Sequence, residues 1–87
     1  MTDFADLLQS QRIEVGLSFQ RLSERSQVDI AYLHRLETGR ATRPGRNIVI
    51  RIAISLGLDI DDTDDMLVSA GHLPLAYRHI SSKSTKR

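Results

Sequence analysis

Arginine is the residue type best equipped for chemistry in this sequence: eight arginines fall between positions 12 and 51, against four acidic residues. A guanidinium is a permanent cation with a planar fork of donors, suited to holding oxyanions and paired acceptors rather than to moving protons. Arg40, Arg43 and Arg46 stand together in RATRPGR, where proline and glycine predict an irregular cationic loop. Catalytic groups are sparse by comparison. No nucleophile, histidine and carboxylate form a recognisable constellation, so the chain does not read as an enzyme. Cysteine is absent, which excludes a disulfide scaffold and thiolate metal sites and leaves His34, His72 and His79 as the imidazoles. Neither a metal nor a cofactor is implied.

Five aspartates between Asp59 and Asp65 resemble a calcium loop at first sight. The sixth position of such a loop needs glycine and the twelfth a bidentate glutamate, and Asp64 and Ala70 stand there instead. The cluster reads better as the cap and the favourable negative charge of a helix start.

The 87 residues, 40% hydrophobic and 26% charged, suit one small globular domain with one modest core. A formal charge of +1 conceals segregation into a basic middle, the acidic knot at 59–65 and a basic stretch from Arg78 to Arg87 with four cations and no acid. The most apolar run, IVIRIAISLGL at 48–58, is interrupted by Arg51 and too short to span a bilayer, and no basic-then-apolar leader opens the chain. A cytoplasmic protein is the expectation.

Helical periodicity organises the rest. With Thr2 as N-cap, a first helix runs from about Asp3 to Glu14, its apolar face formed by Phe4, Leu7 and Leu8 and continued by Val15, with Gly16 as its stop. Ser18 caps a second helix from Phe19 to about Ser26, anchored by Leu22, with Ser23 small enough for another helix to approach; Arg21 and Arg25 form its solvated side. After the turn Ser26-Gln27-Val28, Asp29 caps a third helix from Ile30 to Glu37, ended by Thr38 and Gly39. Val28, Leu33 and Leu36 point inward, leaving Ile30, Ala31, His34 and Arg35 outward and Tyr32 at the edge. Asn47 caps a fourth helix to about Leu56, packed through Ile48, Ile52, Ala53 and Leu56 and widened by Val49, Ile50 and Ile54. A fifth helix, Thr63 to Ala70, packs Met66, Leu67 and Ala70 and stops at Gly71. Two short helices across a tight turn, the second with small or polar residues outward at its N-terminal end, follow the plan of a DNA-reading unit.

Residues 8–44, LQSQRIEVGLSFQRLSERSQVDIAYLHRLETGRATRP, resemble the DNA-binding domain of the lambdoid phage repressor and Cro family, the XRE type of bacterial regulator. The resemblance rests jointly on Arg12, Gly16-Leu17-Ser18, Leu22, Leu33, Leu36-Glu37 and Gly39, and IAISLGLDIDD resembles the family's fourth helix and following turn. Roughly two thirds of the chain takes part. It implies an all-α, five-helix domain over residues 1–74, with the helix-turn-helix at the second and third helices. Residues 75–87 are then an extension with an apolar edge at Leu75, Tyr77 and Ile80 and a basic tail too polar to pack.

Arg35, on the exposed side of the third helix, carries a fork that matches the O6 and N7 acceptors of guanine. The resemblance adds Ile30 and Ala31 as base-facing positions, where apolar side chains suit thymine methyl groups. Tyr32, Arg40, Arg43 and Arg46 are placed for phosphates, and His34 is read as solvent-facing. Glu37 opposes the dipole at its helix C-terminus and needs a cation; the resemblance supplies Arg12 as its structural partner. Two positions depart from the family. Phe19 stands where glutamine often contacts phosphate and braces the recognition helix, and it lacks the groups to do so. Gln27 stands where the turn commonly carries glycine, and must take a left-handed backbone at about 1 kcal/mol or adopt a modified turn.

These readings imply a transcriptional regulator, a repressor, that binds double-stranded DNA as a homodimer with its recognition helices about 34 Å apart. The alternative is a protein-interaction module of antitoxin or coactivator type, with a protein partner docked on Ile30, Ala31 and Tyr32.

Overall fold

The computed structural model describes residues 3–75. It contains five helices and, among the described residues, no strand: α1 (Phe4–Val15), α2 (Phe19–Ser26), α3 (Ile30–Glu37), α4 (Arg46–Leu56) and α5 (Ile60–Ser69). The all-α, five-helix class implied by the sequence is the observed one.

Short polar side chains start most of these helices. Asp3 accepts a hydrogen bond from the Asp6 N–H at 3.0 Å, so it caps the first helix that it was expected to begin, and Thr2 lies outside the described residues. Ser18 and Asp29 cap α2 and α3 as the sequence indicates, accepting from the N–H groups of Arg21 and Tyr32 at 3.1 Å each. Gly16 ends α1 at φ 82°, a left-handed conformation that strains any residue with a Cβ.

Two further starts differ from the sequence reading. α4 begins at Arg46 after an extended Gly45, without any side-chain cap, so Asn47 lies inside the helix. Buried Pro44 has already set the direction of entry there. α5 begins at Ile60, ahead of the expected Thr63, because Asp59 is its cap and accepts from the Asp62 N–H at 2.8 Å. Thr63 is thereby turned inward and buried. Crowding by Asp59, followed by desolvation and then Asp65, Glu14 and Asp61, holds the Asp62 carboxyl above the usual carboxylate range.

Neither α2 nor α3, at eight residues each, is long enough to be stable alone. A single core holds them, built from Leu8 of α1, Leu22 of α2, Leu33 and Leu36 of α3, Val49 and Ile52 of α4, and Met66 and Leu67 of α5, all shielded from solvent. Burying such a side chain is worth about 1.5–3 kcal/mol. α1 rests on α3 and α5, while α4 packs against α2 and α5, so the α2–α3 unit is braced on two sides. Four apolar positions do not follow the sequence reading, the first being Leu7, which is half-buried and outside the core cluster. Val15 is exposed at the end of α1, Ile48 is only partly buried while Val49 takes the centre, and Ile54 is 72% exposed. An 11-residue helix contacting α1, α2 and α5 presents a face centred on Val49, Ile52, Ala53 and Leu56, which leaves Ile54 outside it.

The chain after α5 turns back over the loop before α4. His72 Nε2 lies 2.7 Å from the Pro44 carbonyl, Arg46 donates to the Leu73 carbonyl at 2.6 Å, and the Leu75 N–H donates to Asp64 at 2.6 Å. The rest of the extension, including Tyr77, His79, Ile80 and the basic tail, lies outside the described residues.

Candidate nucleic-acid interface

The turn between α2 and α3 decides how α3 is presented. Gln27 takes the left-handed conformation at φ 60°, the first of the two alternatives for a residue in this place. Its amide donates to the Glu24 carbonyl at 2.8 Å. Two serines close the turn from within: Ser26 Oγ donates to the Leu22 carbonyl at 2.7 Å, and Ser23 Oγ donates to the Val28 carbonyl at 2.6 Å. Arg51 of α4 supplies what sequence reasoning missed, donating from Nε to the Ser26 carbonyl at 3.0 Å and from Nη2 to the Gln27 carbonyl at 2.7 Å. Those carbonyls end α2, where a cation also suits the helix dipole. The available signal was an arginine within an otherwise apolar run, which the sequence reading treated only as an interruption.

The other end of α3 is fixed by the ion pair. Arg12 donates to both oxygens of Glu37, through Nε to Oε2 and through Nη2 to Oε1 at 3.1 Å, and its Nη1 reaches the Leu17 carbonyl at 2.9 Å. The side chains are 14% and 4% exposed, so this is a largely desolvated pair with its donors satisfied. Phe19 lies against it, with its ring centre 4.1 Å from the Arg12 guanidinium carbon and 4.4 Å from the centre of the His34 ring.

With both ends held, Leu33 and Leu36 are buried and Ile30, Ala31, His34 and Arg35 form the exposed face of α3. The three base-facing candidates, Ile30, Ala31 and Arg35, therefore share one face. Tyr32 is half-buried, and the Arg35 guanidinium carbon lies 5.7 Å from its ring centre, close enough for a cation–π contact. Tyr32 thus supports Arg35 as well as bordering the surface.

The loop cations separate into two kinds. Arg40 and Arg43 are exposed, and Arg43 has a left-handed backbone at φ 54°. Arg46 is half-buried and directs Nη1 to the Leu73 carbonyl, which commits one of its donors within the protein. Beside them α4 starts without a side-chain cap, leaving the positive end of its dipole near Arg43 and Arg46. The carboxylates at the two ends of α3 are engaged, Asp29 by the Tyr32 N–H and Glu37 by Arg12. An exposed helix face beside a cationic loop can approach a polyanion and insert side chains into a groove. Among the described residues no group of three or more histidines, cysteines and carboxylates could hold a metal ion, and no helix is long and apolar enough to cross a membrane.

Comparison with known proteins agrees with this geometry at the level of family. Residues 3–66 match a family described as a helix-turn-helix domain. No curated protein and no solved structure matches the chain significantly. The match covers α1 to α4 and most of α5, with the α2–turn–α3 unit at its centre. The chain belongs to the helix-turn-helix domain family, a DNA-binding type of domain.

Proposed function

We infer that this protein is a sequence-specific, double-stranded DNA-binding transcriptional regulator that acts as a repressor, as a homodimer of the lambdoid repressor and Cro type. The observation that carries this reading is the exposed face of α3, braced at one end by Arg51 and at the other by Arg12 and Glu37, and followed directly by Arg40 and Arg43. In it α3 enters the major groove, Arg35 donates to a guanine, and Ile30 and Ala31 lie against thymine methyl groups. Arg40, Arg43, Tyr32 and the remaining donors of Arg46 contact phosphates and set the register. No catalytic step or cofactor is needed.

Selection of duplexes from a random pool by the purified protein tests the reading. Paired half-sites with inverted symmetry, about one helical turn apart, are the expected product. Recovery of unenriched sequence would contradict it.

One feature supports a second reading, a protein-docking module. Ile30 is 43% exposed at the start of α3, next to Ala31, an apolar tip without hydrogen-bonding side chains. Salt separates the two readings, because phosphate binding weakens steeply with ionic strength and apolar docking does not.

A further inference from the structure

His34 stands out on the exposed face of α3 because its ring stacks on another. The imidazole and the Arg12 guanidinium both lie within 4.4 Å of the centre of the Phe19 ring. Phe19 thus touches both the half-buried Arg12 of the ion pair and the exposed His34. Arg12 is held by Glu37 and the Leu17 carbonyl, and the His34 and Phe19 rings are inclined by 30°. The stack on Phe19 favours this orientation of an otherwise exposed imidazole.

His34 also lines, with Arg35, Thr38 and Arg40, a cleft of about 350 Å³ beside the C-terminus of α3. The end of a helix is ordinarily poor ground for an anion, since bare carbonyls face it. That objection is removed locally. The His34 carbonyl accepts from the Thr38 N–H and hydroxyl, each at 3.0 Å, and the Arg35 carbonyl accepts from the Ala41 N–H at 3.0 Å and the Thr38 hydroxyl at 3.2 Å. What remains is a recess lined by two arginines and a histidine, with no carboxylate among its lining residues.

We propose that this cleft is a phosphodiester-binding subsite in which His34, oriented by Phe19, and Arg40 are the donors, giving DNA binding a proton-linked component. The proposal rests on the DNA-binding reading. It assigns a role to Phe19, which cannot itself bind phosphate: the ring positions a histidine that can. The charged groups around the imidazole are Arg12, which touches the same Phe19 ring and is already paired with Glu37, and Arg35 and Arg40 in the cleft. A protonated imidazole donates from both nitrogens to an anion, which a neutral one cannot do.

The test is a fluorescence-anisotropy titration of the full chain with a duplex recovered by selection, at pH 8 and pH 6 and over a range of KCl concentrations. Wild type should bind about three- to tenfold more tightly at pH 6. His34→Gln should lose most of that gain while keeping its preference over a random duplex, and Phe19→Leu should reduce it. Arg40→Ala, lost from both protomers, should flatten the salt slope by about two units. His72→Gln, a control for the other described histidine, should keep the pH response. A pH gain that survives His34→Gln, or that disappears in His72→Gln, would overturn the proposal while leaving DNA binding in place. Absence of salt-dependent binding by wild type at either pH would overturn the DNA-binding reading, and this subsite with it.

Discussion

Arg12 and Glu37 join the first helix to the end of the third through two parallel hydrogen bonds, in a setting that water barely reaches. A lone charge left there by single substitution is costly because its desolvation is no longer offset. Arg12→Met and Glu37→Leu should each destabilise the domain by about 3–5 kcal/mol. The double substitution should cost much less than the sum of the two. Chemical denaturation of the four proteins checks this, and additive losses would argue against a coupled pair.

Arg51 holds the helix-turn-helix angle from outside the motif. Arg51→Met keeps much of the apolar stem but removes the donors to the Ser26 and Gln27 carbonyls, and should cost about 1.5–3 kcal/mol. Gln27→Gly should act in the other direction, relieving up to about 1 kcal/mol of left-handed strain, offset in part by the greater freedom of glycine in the unfolded chain. Urea midpoints of the two variants decide the matter; a neutral Arg51→Met would show that the turn holds itself.

These two residues also mark what the sequence could reveal. Local signals were readable: Ser18 and Asp29 are caps by type and place, and the spacing of Leu22, Leu33 and Leu36 puts them in the core. The face bearing Ile30, Ala31 and Arg35 follows from the same periodicity. Arg51 was not readable in this way, because its partners are backbone carbonyls distant in sequence, which carry no residue-type signature. The early start of α5 was obscured by a choice among five aspartates, decided by which carboxylate reaches the third N–H beyond it. The stack of Phe19 on His34 was hidden as well, since it depends on the angle between two helices.

Asp62 is raised above the usual carboxylate range by Asp59 first and then by its other neighbours. An acid whose folded pKa exceeds its unfolded value binds its proton more readily when folded, so its ionisation weakens the fold above that pKa. Asp62→Asn should therefore raise the denaturation midpoint at pH 7. The gain should fade as pH drops through the carboxylate range, where wild-type Asp62 is itself neutral. A benefit constant with pH would point to a cause other than charge.

Arg35 and the loop arginines should fail differently. Arg35→Ala should cost about 1–3 kcal/mol at the preferred site and relax the preference at one base pair per half-site. Arg43→Ala should weaken preferred and random duplexes alike. Competition binding with single-base variants of the selected site distinguishes the two, and an Arg35→Ala protein with unchanged preference would remove that residue from base reading.

The central claim, that the α3 face and its cationic loop bind duplex DNA, is tested most directly by the salt dependence of affinity for a selected duplex. Arg40, Arg43 and Arg46 on each of two protomers imply a slope of about −5.4 in log affinity against log salt concentration, with tighter binding to the selected duplex than to a random one at every salt concentration. A slope near zero would contradict it, and equal affinity for both duplexes would contradict base reading by α3.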